Sequence, residues 1–577
     1  MSAADKLYML PAGSVKLRGR LGKALQLTLE NRLKKVDYGK LAKSFRDHDD
    51  ADGRWRGEFW GKIVRSAIRV MQSVPDAELE STIRESVKEL CSYAYADGAI
   101  SSYPGNMRCW NWDVWGRKYV LLGLARYYRL IEQDPEVKEA IRRHVKALLA
   151  EDPFAAAPTE GRLWHDGLAS FSILGGLVIA WRITGEKEFL DAAERLAAKG
   201  CHYSGTMLDD FKSGKRPADL VNGKAYEMTS CFEGLLELYR ENGKAEYLDW
   251  AESYCQDILN CEMMITGTAG GKDSVGEYWD NCRAKECEEN PAYGMGETCV
   301  TTTMLRFFLH LLRITGKPCY ADLIEYSVYN AAMGAMKYDG SWYVHCNPTP
   351  LAGVSWKKPA PDQLPGYGED CCLAQGPEAL GVGGAASVMR SADGLTVNFY
   401  EDMQVNCSVD GADVKMDISG NYPADPEITI KVETSADKLF TIALRIPIWC
   451  RNALLEVDGK SYSPAPGRYA QIKRVWSKET VIKLTLPMEI IQVAPQDKSP
   501  RFAAVRGPIL LVQDSRLGEV NTCIDLPEET PERVNVEGLQ DVYNFSNGVK
   551  LCDYASAGNL FEASNTLCVW MKKAGEK

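Results

Sequence analysis

The chain has 577 residues, too many for one hydrophobic core, so two or three domains are expected. Its net charge of −11 argues against a nucleic-acid partner, since phosphate binding needs a basic face, while 45% hydrophobic and 25% charged residues are ordinary for a globular protein. No apolar run approaches the ~20 residues that cross a bilayer, which argues against a membrane partner.

In chain order, the start, Met1-Ser2-Ala3-Ala4-Asp5-Lys6-Leu7, lacks the basic-then-apolar layout of an export signal. The 18 cysteines are scattered rather than gathered into a small disulfide framework, so reduced thiols and a cytoplasmic location are expected. Residues 1–20 form an extended segment expected to pack on the β part.

From about residue 21 apolar residues recur at three- and four-residue spacing, the mark of helices. Leu121-Leu122-Gly123-Leu124 and Met304-Leu305-Arg306-Phe307-Phe308-Leu309 are apolar on most sides, as in helices sandwiched inside a domain. The helices are broken at Pro75, Pro135, Gly185, Gly243 and Gly316. Proline suits the first turn of a helix, and glycine the left-handed residue that ends one. The breaks lie roughly 50 to 70 residues apart, room for two helices and a return loop, so stacked or ring-closed hairpins are predicted. About six such hairpins would close an (α/α)6 toroid over residues 21–385, its loops meeting at one mouth. After residue 385 short alternating runs take over, among them Glu427-Ile428-Thr429-Ile430-Lys431-Val432 and Val481-Ile482-Lys483-Leu484. Divided by Gly, Pro and Asp turns, they predict an antiparallel β-sandwich, or two small ones, over residues 386–577. Its expected work is to buttress the toroid or to form a homodimer.

Two stretches carry candidate chemistry. The first, Tyr293-Gly294-Met295-Gly296-Glu297-Thr298-Cys299, follows Gly276-Glu277; the second is Gly368-Glu369-Asp370-Cys371-Cys372. Glu297, Cys299, Cys371 and Cys372 offer three sulfurs and one carboxylate oxygen, a tetrahedral donor set suited to Zn2+. The competing reading makes Cys371 and Cys372 small buried hydrophobes. Cys282 and Cys287 are a rival ligand pair. Two of the six histidines, His345 and His165, fall in loops that could line a pocket; His144 and His310 sit in helical patterns and suit surface or packing roles. Trp55, Trp60, Trp110, Trp112 and Trp115 could offer flat faces for stacking or simply fill the core.

Glu277 after glycine, Glu297-Thr298-Cys299 and the double cysteine resemble glycoside hydrolase family 127, which contains β-L-arabinofuranosidases. So do Cys109-Trp110-Asn111-Trp112-Asp113-Val114-Trp115-Gly116-Arg117-Lys118-Tyr119 and Lys224-Ala225-Tyr226-Glu227-Met228-Thr229-Ser230-Cys231-Phe232-Glu233. The resemblance implies that Glu297, Cys299, Cys371 and Cys372 hold zinc, that Cys371 is the nucleophile and that Glu277 is the general acid/base of a retaining exo-glycosidase. The chain departs from the family where histidines line the sugar pocket: Arg117-Lys118, Ser170 and Lys224 stand there instead. Lys118, Arg117 and Lys224, with Ser170, Trp112, Asp113, Tyr343 and His345, are the expected sugar-binding residues. The extra cations point to an acidic plant-glycan sugar as an alternative to arabinofuranose. Two other readings stay open: a hydrolase or lyase that works through Glu277 and Asp113 with structural cysteines, and a glycan-binding scaffold without catalysis.

Overall fold

The structure is a computed structural model; it describes residues 4–154, 167–203, 205–271, 276–287, 295–348, 354–477 and 479–574. Fifteen α-helices are seen among these residues: α1 (Arg20–Asn31), α2 (Tyr38–Asp47), α3 (Gly57–Met71), α4 (Ala77–Ser92), α5 (Asp113–Leu130), α6 (Pro135–Glu151), α7 (Leu168–Phe171), α8 (Leu174–Thr184), α9 (Lys187–Ala198), α10 (Met207–Lys212), α11 (Ala225–Asn242), α12 (Ala245–Asp257), α13 (Thr298–Thr315), α14 (Pro318–Ser327) and α15 (Cys371–Ser387).

Six of them, α3, α5, α8, α11, α13 and α15, form an inner ring in which each packs on the next and α15 closes back on α3. Helices α2, α4, α6, α9, α12 and α14 precede them in turn as the outer partners, which completes an (α/α)6 toroid. The division follows from composition: every residue of α3 is buried, whereas α4 buries only one face. The hairpin turns follow the local chemistry. Gly185, Gly243 and Gly316 adopt φ of 78°, 68° and 65°, and each N–H closes the preceding helix on a carbonyl four residues back. Pro135 opens α6, and Asp76 caps α4 through the Leu79 N–H.

Close approach of α3 and α5 depends on missing side chains. A Cβ on Gly61 would lie 2.1 Å from the Tyr119 carbonyl oxygen, and Gly57 and Gly116 face each other across the same seam. Because all six inner helices run the same way, their first turns gather at one mouth of the ring and their last turns at the base.

Strand β3 (Val388–Ser391) follows α15 directly. It joins a five-stranded sheet in the order β1 (Leu7–Met9), β3, β4 (Gly394–Val397), β8 (Lys438–Ile446), β11 (Arg468–Trp476). A seven-stranded sheet holds β2 (Val15–Leu17), β5 (Met403–Val409), β6 (Ala412–Ser419), β7 (Glu427–Thr434), β9 (Leu454–Val457), β10 (Lys460–Tyr462) and β12 (Glu479–Thr485). A third, nine-stranded sheet is built from residues 490–573. Among the described residues, strand pairing is antiparallel with two exceptions. Strand β4 runs parallel to β8, because β5–β7 have crossed to the opposite sheet between them, and Cys523–Ile524 runs parallel to Met571–Lys573.

The helical and β parts are joined by buried polar contacts. Arg445 of β8 pairs with Glu325 at 2.7 Å and with Asp322, and Asn330 exchanges hydrogen bonds with the backbone of Pro508 and Leu510. Glu401 accepts the Leu21 and Gly22 N–H groups at 2.9 and 3.1 Å, capping α1 from the β side. No helix among the described residues is long and apolar enough to cross a membrane.

Candidate active site

Two inner helices deliver the sulfurs. Glu297 is the residue before α13, so Cys299 sits in that helix's first turn; Cys371 and Cys372 open α15. Asp370 caps α15 by accepting the Cys372 N–H at 2.8 Å, and it also accepts from His345 Nδ1 at 3.0 Å. Gln363 accepts the Cys371 N–H at 3.0 Å. The loop bearing His345 is held to the start of α13 by the Thr298 N–H to His345 carbonyl bond at 2.9 Å.

Upstream, Gly276 adopts φ 71°, and a Cβ there would lie 2.9 Å from the Cys346 sulfur and 3.1 Å from the Glu297 nitrogen. Only glycine lets the chain pass so close, and this sets Glu277 beside Glu297. The Glu277 carbonyl accepts the Ala225 N–H at 3.0 Å, and its carboxylate pairs with Lys224.

The Cys371 and Cys372 sulfurs stand 3.5 and 3.4 Å from Glu297 Oε1 and 3.7 Å from each other. With Cys299 they form a buried set whose donor atoms all lie within 4.8 Å of one another. A second set of the same closeness joins Glu277, Glu297 and His345. Four acids so crowded cannot all ionise unaided. Burial, and then Cys371, push Glu297 up to about 8. Contact with Cys299, together with burial, holds the Cys371 thiol well above its ordinary value. Burial lowers His345, but Asp370 and Cys371 outweigh it and lift the imidazole to about 10. Burial would also lower Lys62, yet Glu58, Cys299 and Cys371 raise it well above a free lysine. Three convergent sulfurs and one carboxylate oxygen, short of positive charge, are the donor chemistry of a thiophilic divalent cation.

The cluster opens into a cavity of about 190 Å³ whose wall includes Cys371, Cys299, Glu297, Glu277, Lys224 and Gln363. Trp55, Trp112 and Trp115 form its aromatic side, edge to face, with centroids 6.1 and 5.9 Å apart. Tyr226 and Glu227 of α11 and Glu58 and Lys62 of α3 complete it. Lys62 Nζ lies 3.0 Å from Glu58 Oε1, and the other Glu58 oxygen accepts the Trp115 indole N–H.

Of the sugar-binding candidates, Trp112 and Lys224 line this cavity, and His345 stands behind the carboxylates with Asp370. The others are placed elsewhere. Arg117 is fully buried against Glu151 and lies 3.6 Å from Asp113, because its position on α5 faces α6 rather than the ring's axis. Asp113 accepts from Ser101 and from the Cys109 N–H at 2.7 Å, a structural network at the start of α5. Lys118 points beneath the floor, donating to Ser172 at 2.8 Å with its ammonium 3.5 Å from the Trp115 ring centroid. Ser170 is buried in α7, outside the lining, and Tyr343 is buried with its hydroxyl on Thr28. His144 is buried, accepting from the Ile100 N–H at 3.0 Å; His165 lies outside the described residues. Cys282 is buried beside Glu262, and Cys287 packs with the third sheet, so these two do not converge.

Glu58, Lys62 and Gln363 escaped the sequence reading. The first two had a signal: a Glu and a Lys four residues apart in a helix otherwise buried all round have nowhere to go but a polar interior.

A ring of six helical hairpins, bearing a thiol–carboxylate cluster at its mouth and backed by β-sheets, defines a helical-toroid protein of the glycoside hydrolase type. Residues 21–380 match the model of the β-L-arabinofuranosidase, GH127 catalytic domain, and residues 394–488 that of the GH127 middle domain. The chain belongs to glycoside hydrolase family 127. It is 24% identical over 316 residues to the non-reducing end β-L-arabinofuranosidase of Bifidobacterium longum subsp. longum; the match covers 51% of this chain and about half, 46%, of that relative. Among solved structures, a GH127 β-L-arabinofuranosidase from Geobacillus stearothermophilus T6 superposes with a TM-score of 0.74 at 18% identity, covering 97% of this chain and 100% of the other. A GH127 β-arabinofuranosidase superposes at 0.76 with 18% identity and 99% coverage of each chain. At such identities the likeness speaks for the fold.

Proposed function

We propose that this protein is a retaining exo-glycosidase that releases a terminal β-L-arabinofuranose or a closely similar neutral sugar, with Cys371 as nucleophile and Glu277 as general acid/base. The observation that carries the reading is that Cys371 and Glu277 line one small cavity of a family 127 toroid.

Glu297, Cys299, Cys371 and Cys372 would hold a zinc ion. When bound, it supplies the positive charge that keeps buried thiols ionised at neutral pH. The chain's own residues then account for the steps. The Cys371 thiolate attacks the anomeric carbon while Glu277 gives its proton to the departing glycosidic oxygen, forming the C–S bond as the C–O bond breaks. Glu277, now a carboxylate, takes a proton from water, whose oxygen displaces the sulfur, and the two inversions give net retention. Lys224 orients the Glu277 carboxylate through their ion pair. The Asp370 cap and the Gln363 contact fix the start of α15, and with it the direction of the Cys371 sulfur.

The lining favours a neutral sugar over an acidic one. Its lysines, Lys62 and Lys224, are each already paired with a carboxylate, and Glu227 and Glu297 stand beside them. A sugar carboxylate would meet like charge there, with no uncommitted cation among the described lining residues to receive it. Three tryptophans suit the apolar face of a furanose ring. The reading that relies on Glu277 and Asp113 alone loses support, because Asp113 is occupied by Ser101, the Cys109 N–H and Arg117 outside the cavity.

Aryl β-L-arabinofuranoside hydrolysis, followed by anomer analysis of a methanolysis product, tests the proposal: the wild type should release the sugar with retention and Cys371→Ala should not. Turnover surviving in Cys371→Ala, or faster hydrolysis of a uronide, would overturn it. Metal analysis should return about one zinc per chain, as a single four-ligand site requires, and substantially less for Cys299→Ser.

A further inference from the structure

The inner helices carry a second cavity, of about 140 Å³, toward their last turns, at the base of the ring. Tyr226 borders both cavities. Its hydroxyl meets that of Tyr119 and donates to Gln375 at 2.9 Å, and this layer closes the floor between them.

The base cavity is lined by six guanidiniums: Arg65 and Arg69 from α3, Arg126 and Arg129 from α5, and Arg306 and Arg313 from α13. Three carboxylates pair with them directly, and Glu237 acts on Arg129 and Arg313 from farther off. Glu378 is shared by Arg126 at 2.6 Å, Arg306 at 3.3 Å and Arg65 at 3.7 Å; Glu233 takes Arg306 at 3.1 Å; Asp5 takes Arg313 at 2.6 Å. Glu237, also in the lining, is engaged by Arg182 and Arg240. Arg69 has no carboxylate partner among the described residues. It is 7% exposed, its contacts are Gln72 at 2.5 Å and the Met9 sulfur at 3.1 Å, and its Nε is unpartnered, as is the buried Nε of Arg313. Arg129, exposed at the rim, has no carboxylate at ion-pair distance among the described residues, although Glu237 and Asp5 act on it from farther off.

Helix C-termini carry about half a negative charge each, and the Arg65 carbonyl accepts from Arg126 at 2.9 Å; both ease this crowding but leave the Nε atoms of Arg69 and Arg313 unpartnered. The strain is electrostatic: burial and then like-charged neighbours pull Arg69 well below its ordinary value and Arg126 down to about 10. An isolated protein would not gather a surplus of buried guanidinium here without something to balance it.

We propose that the base cavity is a binding site for a small oxyanion, a phosphate or carboxylate group, held by Arg69, Arg126, Arg129 and Arg313 and separate from the thiol cluster. Planar guanidiniums match such oxygens two at a time, and the volume admits a group of that size rather than a polyanion.

The test is calorimetric titration of the full chain at fixed ionic strength, in buffer free of phosphate and carboxylate, with inorganic phosphate in one arm and malonate in the other. Saturable binding with a Kd of about 1 mM or tighter is expected in at least one arm, and the tighter arm identifies the anion class. Arg69→Gln should weaken that binding at least about tenfold, the worth of one charge-assisted contact, while the glycosidase rate stays unchanged. Because Arg69 is buried, Arg129→Gln at the exposed rim serves as the second variant, and a smaller but measurable loss is expected. Absence of saturable binding in both arms, or affinity unaltered in both folded variants, would overturn the proposal.

Discussion

Glu277 works at a carboxylate–lysine contact next to a second carboxylate, so its loss should be felt through the leaving group. Glu277→Gln keeps the shape and removes the proton: hydrolysis of unactivated glycosides should fall about 100- to 10,000-fold. Aryl glycosides with acidic phenols, which depart without help, should lose much less in the first step; paired measurements of kcat/KM on the two substrates check this. The glycine before it is a separate handle. Gly276→Ala forces a methyl to within 2.9 Å of the Cys346 sulfur at φ 71°, so the Glu277 backbone must shift. Activity should drop at least tenfold, since small displacements of a reacting group cost that much, while circular dichroism stays that of the wild type. At this scale the sequence was legible where residue type alone limits the chemistry. Four metal-competent side chains in two short motifs converge as drawn, because each motif starts an inner helix and the ring aligns those starts. Arg117 and Lys118 show the opposite case. They are adjacent on α5, so they point about 100° apart, and a motif written as a string carries no azimuth to say which direction is the cavity.

Helices α3 and α5 meet through glycines, and their separation sets where Glu58, Lys62, Trp112 and Trp115 stand. Gly61→Ala would drive a methyl into the Tyr119 carbonyl. Overpacking of this kind costs about 1–3 kcal/mol, to be read as a lower urea midpoint for the helical transition, and the same shift should raise KM by moving the aromatic wall. The hairpin punctuation was readable residue by residue: glycine at 185, 243 and 316 ends inner helices, and proline at 135 starts an outer one. Strand direction was not. Apolar-rich runs such as those of β4 and β8 state that a strand is buried, but they are blind to the long connection that makes this pair parallel.

Across the whole molecule, the helical and β parts share buried ionisable groups, and one of them should tilt stability with pH. Glu286 accepts the Ile265 N–H at 2.8 Å and the Trp570 indole N–H at 3.3 Å from the third sheet, and burial raises it from 4.5 to about 8. A folded-state value above the unfolded one means the native protein binds the extra proton. The stabilisation is therefore complete below pH 4.5 and is lost as pH climbs through about 8. Glu286→Gln keeps an acceptor oxygen and cannot ionise, so it should flatten the decline in unfolding midpoint between pH 6 and 9.

Strands β1 and β2 precede the entire toroid, yet they pair with β3 and β5, which follow it; Arg20, just beyond, reaches Asp553 at 3.3 Å, and also Asp541. During synthesis these early strands must wait, roughly for tens of seconds at ordinary elongation rates, until their partners emerge. The ring can form before the clasp shuts. Removing residues 4–18 should consequently leave a toroid that assembles but holds its β part less firmly, seen in calorimetry as a lower or split melting transition, with two sheet margins left bare to recruit other chains. A protein whose first strokes are its last to be secured cannot finish its fold until nearly all of these late partners have been made.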